Sequence, residues 1–222
     1  MTTCLGGGLA ATRQALRSER SGLVPCRFED QELDTWIGEV DGVNDVCLPP
    51  ALARYDCRNN RLVLMGLEAD GFAEQVRIAV ARHGTDRVGV FLGTSTAGIL
   101  QTERAYRRRD PQSHALPDDF HYRETHNAFS LAEFTRAYFG LQGMAMAIST
   151  ACSSSAKVFA AAARQLAIGS IDAAIVGGAD TLCLTTLNGF SSLQLTSAQP
   201  CRPYDGARNG LSIGEGAAFA LL

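Results

Sequence analysis

A chain of 222 residues can bury a sizeable core, as one large domain or two small ones. At 46% hydrophobic and 19% charged it has an ordinary globular composition, and a net charge of -3 offers no general attraction to nucleic acid or an anionic membrane surface. No apolar run nears the ~20 residues of a membrane span, and the opening MTTCLGGGLAATRQ lacks the basic and apolar regions of a signal peptide. Seven scattered cysteines without a C-x-x-C pair argue against a disulfide framework or zinc site and for a reducing cytoplasm.

In chain order, Gly6, Gly7 and Gly8 read as a plain turn rather than a phosphate cradle, because no strand precedes them and no lysine follows. Residues 67–83 place Phe72, Val76, Ala79 and His83 on one helical stripe, with Gly84 as the stop. A buried strand is expected from about Val88 to Leu92. Thr102 to Asn127 holds two prolines and most of the histidines and reads as a surface excursion. Ser130 and Glu133 suggest a capping box opening SLAEFTRAYF, closed by Gly140. MAMAIS, residues 144–149, reads as a second buried strand. Residues 154–168 read as a helix ending at Gly169. Its only charges, Lys157 and Arg164, share one stripe, which predicts burial nearly all round. DAAIVGG (172–178) is a third strand, TTLNGFSSL (185–193) a short helix and LSIGEGAAFALL (211–222) a last strand.

This alternation predicts a mostly parallel sheet covered by helices on both faces, with sites beyond the carboxyl ends of strands. Small residues at three such ends (Gly93 to Ser95, Thr150 to Cys152, Gly177 and Gly178) would leave room for a ligand. Cys152 stands out among them. It lies at a strand-to-helix turn, the geometry that lifts a nucleophile out of a sheet, and a helix N-terminus favours a thiolate or oxyanion. The dipole alone is worth only ~1 kcal/mol, so a proton acceptor or second cation is still required. Spacing alone leaves a nucleophile and a small buried hydrophobe both open.

STACSSS before an alanine-rich helix, then DAAIVGGAD, GFSSL and CRPYDGARNGLSIGEGAAFALL, resembles the β-ketoacyl synthases in content and order. Upstream, ALRSERSGL and VGVFLGTSTAGI match further signatures of that family. The resemblance implies a thiolase-like α/β fold: two similar halves, each a five-stranded sheet between helices. Residues 1–222 would be the N-terminal half, beginning just after the family's opening strand. It implies that Cys152 takes an acyl chain from acyl carrier protein (ACP), that decarboxylation of malonyl-ACP supplies the attacking carbanion, and that the Cys152 N–H forms part of an oxyanion hole. Phe190 matches a position near the acyl pocket, and Thr102 is a candidate of the same kind. No cofactor or metal is implied. A homodimer, or a heterodimer with a related subunit, is implied, with MAMAIS and SLAEFTRAYF in the dimer-forming region.

The TAC form looks like the elongating synthases, and CLTTLNGFSSLQL resembles those of aryl polyene clusters. The family's decarboxylating histidines and lysine lie in its second half, and none of His83, His114, His121 and His126 matches them, so this chain alone is expected to be inactive. Arg104, Arg107, Arg108 and Arg109 could dock acidic ACP, although a solvated face explains them as well. Gly210, Gly214 and Gly216 match a family motif and suggest tight packing. Two other functions compete. A chain-length-factor-like partner subunit usually lacks the cysteine. A cysteine acyl hydrolase predicts a G-x-C-x-G elbow, where this chain has Thr-Ala-Cys-Ser-Ser.

Overall fold

The computed structural model describes all 222 residues. In chain order it forms β1 (Thr2–Thr3), β2 (Gly6–Gly7), α1 (Gly8–Arg17), β3 (Val24–Pro25), β4 (Trp36–Gly38), α2 (Arg58–Glu68), α3 (Phe72–His83), β5 (Val88–Gly93) and α4 (Ile99–Arg107). There follow α5 (Ser130–Tyr138), β6 (Ala145–Ile148), α6 (Ser154–Ala167), β7 (Ala173–Asp180), α7 (Leu184–Ser192), β8 (Ile213–Gly214) and β9 (Gly216–Leu221). The main sheet has the order β2-β1-β9-β7-β5-β6, and a small second sheet has the order β3-β4-β8. β5 runs parallel to both β6 and β7, while β9 is antiparallel to β7 and β1. The sheet thus has six strands rather than five: β9, β7, β5 and β6, and the two-residue strands β1 and β2 paired as a hairpin at one edge.

Parallel neighbours need crossovers, and helices supply them: α4 and α5 between β5 and β6, α6 between β6 and β7. Side-chain alternation along β5 and β7 sorts the core into two layers. Val88, Val90, Leu92 and Ile175 meet Leu62, Val63, Leu67, Val76, Leu131 and Phe134 from α2, α3 and α5. Phe91, Ala174 and Val176 turn the other way, onto Val158 and Ala162 of α6. The first 60 residues belong to the same body, since β1 pairs with β9 and β4 with β8.

Glu215 divides the expected last strand in two. Residues 213–214 join β4, residues 216–221 join β7, and the Glu215 side chain turns inward between them with none of its surface exposed. Arg58 Nε donates to its Oε2 at 2.9 Å and Nη2 to its Oε1 at 2.6 Å. The backbone N–H groups of Val40 and Leu182 donate to the same carboxylate at 2.9 and 3.0 Å. Burial alone would pull the Arg58 guanidinium down; the hydrogen bonds and charge of Glu215 outweigh it and hold Arg58 above its ordinary value.

Several elements differ from expectation. The helix expected over 67–83 is two, because Asp70 and Gly71 adopt left-handed conformations (φ 59° and 69°) that break α2 from α3. The supposed excursion opens with α4, whose Leu100 and Ala105 are buried. Ser130 is not a cap: its hydroxyl donates to the Glu124 carbonyl and accepts from Asn60 Nδ2, while Glu133 pairs with Arg123. β6 is an edge strand, not a buried one, and exposes Met146. α6 is not buried all round. A helix laid on one face of a sheet buries one stripe, here Ser154, Val158 and Ala162, and Phe159 stays 42% exposed. Gly6 and Gly7 form β2, and the N-terminus of α1 is met by a carboxylate of this chain, Asp70 Oδ1, which accepts from Leu9 N–H at 2.9 Å.

Candidate active site

Residues 149–153 connect β6 to α6, and the hydroxyls of Ser153 and of Ser154, the first residue of α6, hold the turn. Ser154 Oγ donates to the Ala151 carbonyl at 2.6 Å and accepts from Thr150 N–H at 2.9 Å; Ser153 Oγ donates to the Thr150 carbonyl at 2.9 Å. Ala151 is held at φ 52°, a left-handed conformation that costs a residue with a Cβ roughly 1–2 kcal/mol. Such strain persists only where surrounding bonds over-determine it, and it is common at reactive turns. The sharp bend leaves Cys152 exposed immediately before the helix start, and its N–H makes no backbone hydrogen bond.

The glycines beneath the turn bring the helix down onto the sheet, and Gly177 and Gly178 also border an apolar cavity of about 340 Å³ with Ser155, Phe159 and Phe219. A Cβ on Gly93 would lie 2.6 Å from Ser155 N, and one on Gly178 would lie 2.3 Å from the Gly93 carbonyl and 2.4 Å from Ser155 Oγ. Gly177 and Gly178 lie inside β7, which continues to Asp180. The N-terminal turn of α6 is thereby seated over β5 and β7, and its Ser153 and Ser154 N–H groups donate back to the Thr150 and Ala151 carbonyls at 3.4 and 3.1 Å.

Three other thiols are disfavoured as anions. Burial pushes Cys57 up to about 12 and also raises Cys183 and Cys4.

A polar cavity of about 270 Å³ lies beside the turn, walled by Thr94, Ser95, Thr96, Tyr122, His126 and Ser149 among others. Thr102 on α4 reaches it indirectly, through a hydrogen bond between its hydroxyl and His126 Nδ1. His126 stacks on Tyr122 with ring centroids 5.1 Å apart, and burial lowers its pKa, favouring the neutral imidazole. Phe190 is half-buried on α7 and does not line this cavity. A larger surface cavity of about 740 Å³ is formed by the loop from Leu195 to Leu211 and shares no residue with the turn.

The arginine cluster is mostly satisfied internally. Arg104 and Arg107 both pair with Glu29, at 2.5 and 3.2 Å, and Arg108 pairs with Asp119 at 2.9 Å. The Arg104 hydrogen bond, against some desolvation, holds the Glu29 carboxyl below its usual range. Two carboxylates that sequence patterns did not single out organise the site. Glu103 caps α7 by accepting from Leu184 and Thr185 N–H at 3.0 and 2.6 Å. Asp180 binds the loop after β5. The available signal for Asp180 was its place at the end of a buried strand.

These features coincide with a known family. The model of the beta-ketoacyl synthase N-terminal domain matches residues 61–222, and the chain belongs to that family. A ketosynthase (ApeO) solved in complex with its chain length factor (ApeC) from Xenorhabdus doucetiae is 32% identical, with a TM-score of 0.84 over 99% of this chain and 55% of that one. Nodulation protein E of Rhizobium meliloti is 28% identical over 161 residues, covering 72% of this chain and 40% of the relative. The non-reducing polyketide synthase subA of Metarhizium robertsii is 31% identical over 159 residues, 70% of this chain and 7% of that protein. The chain therefore spans about half the length of the ketosynthase and less of the two relatives. The fold is thiolase-like, with the mixed sheet of this family's N-terminal domain. No helix is long and apolar enough to cross a membrane.

Proposed function

We propose that the protein is a β-ketoacyl-ACP synthase of the elongating type and that Cys152 is its acyl acceptor. The observation that carries this is the exposed Cys152 on a strained turn directly before α6. The Cys152 thiolate attacks the acyl-ACP carbonyl, the carrier's thiolate leaves and takes up a proton, and the chain rests as a cysteine thioester. Malonyl-ACP then loses CO₂, and the enolate carbon attacks that thioester. Cys152 departs as thiolate and β-ketoacyl-ACP forms. The Cys152 N–H, which has no backbone partner, serves in this reading as a donor to the oxyanion of both tetrahedral intermediates.

Phe190 and Thr102 are proposed as acyl-pocket residues, Thr102 acting through His126. Residues 1–222 are proposed as one N-terminal domain, a grouping supported by the strand pairing of the first 60 residues with the rest. The proposed partners are ACP and a second synthase subunit, identical or chain-length-factor-like. The likeness to a ketosynthase solved with its chain length factor supports that second subunit, as does the open edge of β6. The CLTTLNGFSSLQL stretch supports the aryl polyene branch, and a cytoplasmic setting suits the free thiols.

The test is acylation. A cerulenin-like epoxide or iodoacetamide is expected to label Cys152 ahead of the other six cysteines, as read by peptide mapping. In the complete protein Cys152→Ala is expected to abolish β-ketoacyl-ACP formation. Labelling of Cys26 or Cys57 first, with Cys152 inert in folded protein, would sink the assignment. The 222-residue chain by itself is expected to form no β-ketoacyl-ACP, because none of its four histidines stands at a decarboxylating position. Losing such groups costs on the order of a hundredfold or more.

A further inference from the structure

Asp180 closes β7, next to β5 in the sheet. Four donors converge on its Oδ1: Thr94 Oγ1 at 2.9 Å, Ser95 N–H at 2.6 Å, and Thr96 N–H and Oγ1 at 2.9 Å each. Such convergence engages one carboxylate oxygen with four donors at once. The two hydroxyls are used twice. Thr94 Oγ1 also accepts from Ala97 N–H at 2.9 Å, and Thr96 Oγ1 from Thr181 N–H at 3.0 Å. The loop from Thr94 to Ala97 is thus wrapped around one carboxylate, and Ala97 is held there at φ 42°.

The same loop touches the cysteine turn from below and from the side. Thr94 N–H donates to the Ile148 carbonyl at 3.2 Å, at the end of the strand leading to Cys152. Gly93, one residue earlier, packs under Ser154 and Ser155 at the start of α6. Thr94, Ser95 and Thr96 share the polar cavity with Ser149. The loop therefore abuts both the strand that enters the turn and the helix that leaves it.

From this we infer that Asp180 is a positioning residue: its carboxylate holds the loop after β5 against the Cys152 turn and so keeps the thiol over the α6 N-terminus. The inference rests on Cys152 being the acyl acceptor. Its sign differs from that of a purely electrostatic role. Removing a nearby negative charge would by itself favour the thiolate and speed alkylation. Loosening the turn takes the thiol away from the helix N-terminus and slows it.

The experiment uses the complete protein and its Asp180→Asn and Asp180→Ala variants, with iodoacetamide at fixed pH, peptide mapping and amide hydrogen exchange. The exposed Cys47 serves as internal reference. The expected result is faster exchange at Ser95 and Thr96 in both variants and Cys152 labelling slowed about tenfold in the alanine variant. The asparagine variant should be intermediate because it retains an acceptor oxygen, and Cys47 should be unchanged. Cys152 labelling at or above the wild-type rate, in a variant whose loop amides exchange faster, would overturn the inference. If the alanine variant unfolds, exposing buried Cys57 and Cys183 to the reagent, the asparagine variant decides by the same two readings. The wild-type arm tests the underlying assignment separately: Cys152 labelled no faster than Cys47 would reject it as the activated thiol, whatever the variants do.

Discussion

Three cysteines of this chain stand at helix starts, and they differ in almost everything else. Cys57 is the N-cap of α2 and Cys183 the N-cap of α7; Cys152 lies one residue before the N-cap of α6. All three lie at or just before the N-terminus of a helix. Yet Cys57 and Cys183 are buried and Cys152 is exposed. The magnitudes explain why burial decides. A helix dipole contributes about 1 kcal/mol in favour of a thiolate. Burial pushes Cys57 up to about 12, a penalty of roughly 4 kcal/mol. A helix N-terminus is therefore not sufficient to activate a thiol. The turn must also lift it out of the core, and the left-handed Ala151 with its serine staples does so.

The largest expected effect on this contrast comes from Glu215. Its carboxylate holds Arg58, next to Cys57, and accepts from Leu182 N–H, next to Cys183. Breaking a buried pair by removing one partner costs about 3–5 kcal/mol. Glu215→Ala should lower the melting temperature by roughly 10 °C at 2–4 °C per kcal/mol. It should also make Cys57 and Cys183 reactive well before global unfolding, which differential alkylation during a thermal ramp would detect. Equal protection of both thiols in the variant would mean that Glu215 does not maintain the contrast.

A second test acts on assembly. Met146→Lys places a charge on the open edge strand β6, which leads directly to the Cys152 turn. In the complete protein it is expected to shift a dimer to monomer at micromolar concentration, because an unpaired charge in a buried interface is costly. Sedimentation velocity checks this. A full-length wild-type protein already monomeric there would remove the premise.

The smallest expected effect concerns the turn itself. Ala151→Gly relieves a left-handed strain of about 1 kcal/mol, partly offset by the greater entropy of glycine in the unfolded chain. The melting temperature should move by no more than a few degrees, while Cys152 alkylation should slow modestly as the bend loosens. A large gain in stability with unchanged labelling would show that the bend is not what presents the thiol.

The buried runs at β5 and β7, the helices α5, α6 and α7 and the turn carrying Cys152 were legible in the sequence, because apolar periodicity and glycine stops are local properties, whereas the elements before residue 58 and helix α4 were not. The family motifs marked Cys152 for the same reason: a thiol among small residues at a helix start is a short, contiguous pattern. What tertiary structure decided is what depends on distant partners. No local pattern shows that Glu215 would meet Arg58, 157 positions away, or that Asp180 would gather the loop after β5, 84 to 86 positions away. Nor could composition show that α6, apolar on most sides, buries only Ser154, Val158 and Ala162, because burial depends on what packs against a helix and not on the helix alone. The difference between Cys57, Cys183 and Cys152 is of that kind. All three look alike as residues before a helix, and only the packing of the surrounding elements determines which of them meets solvent.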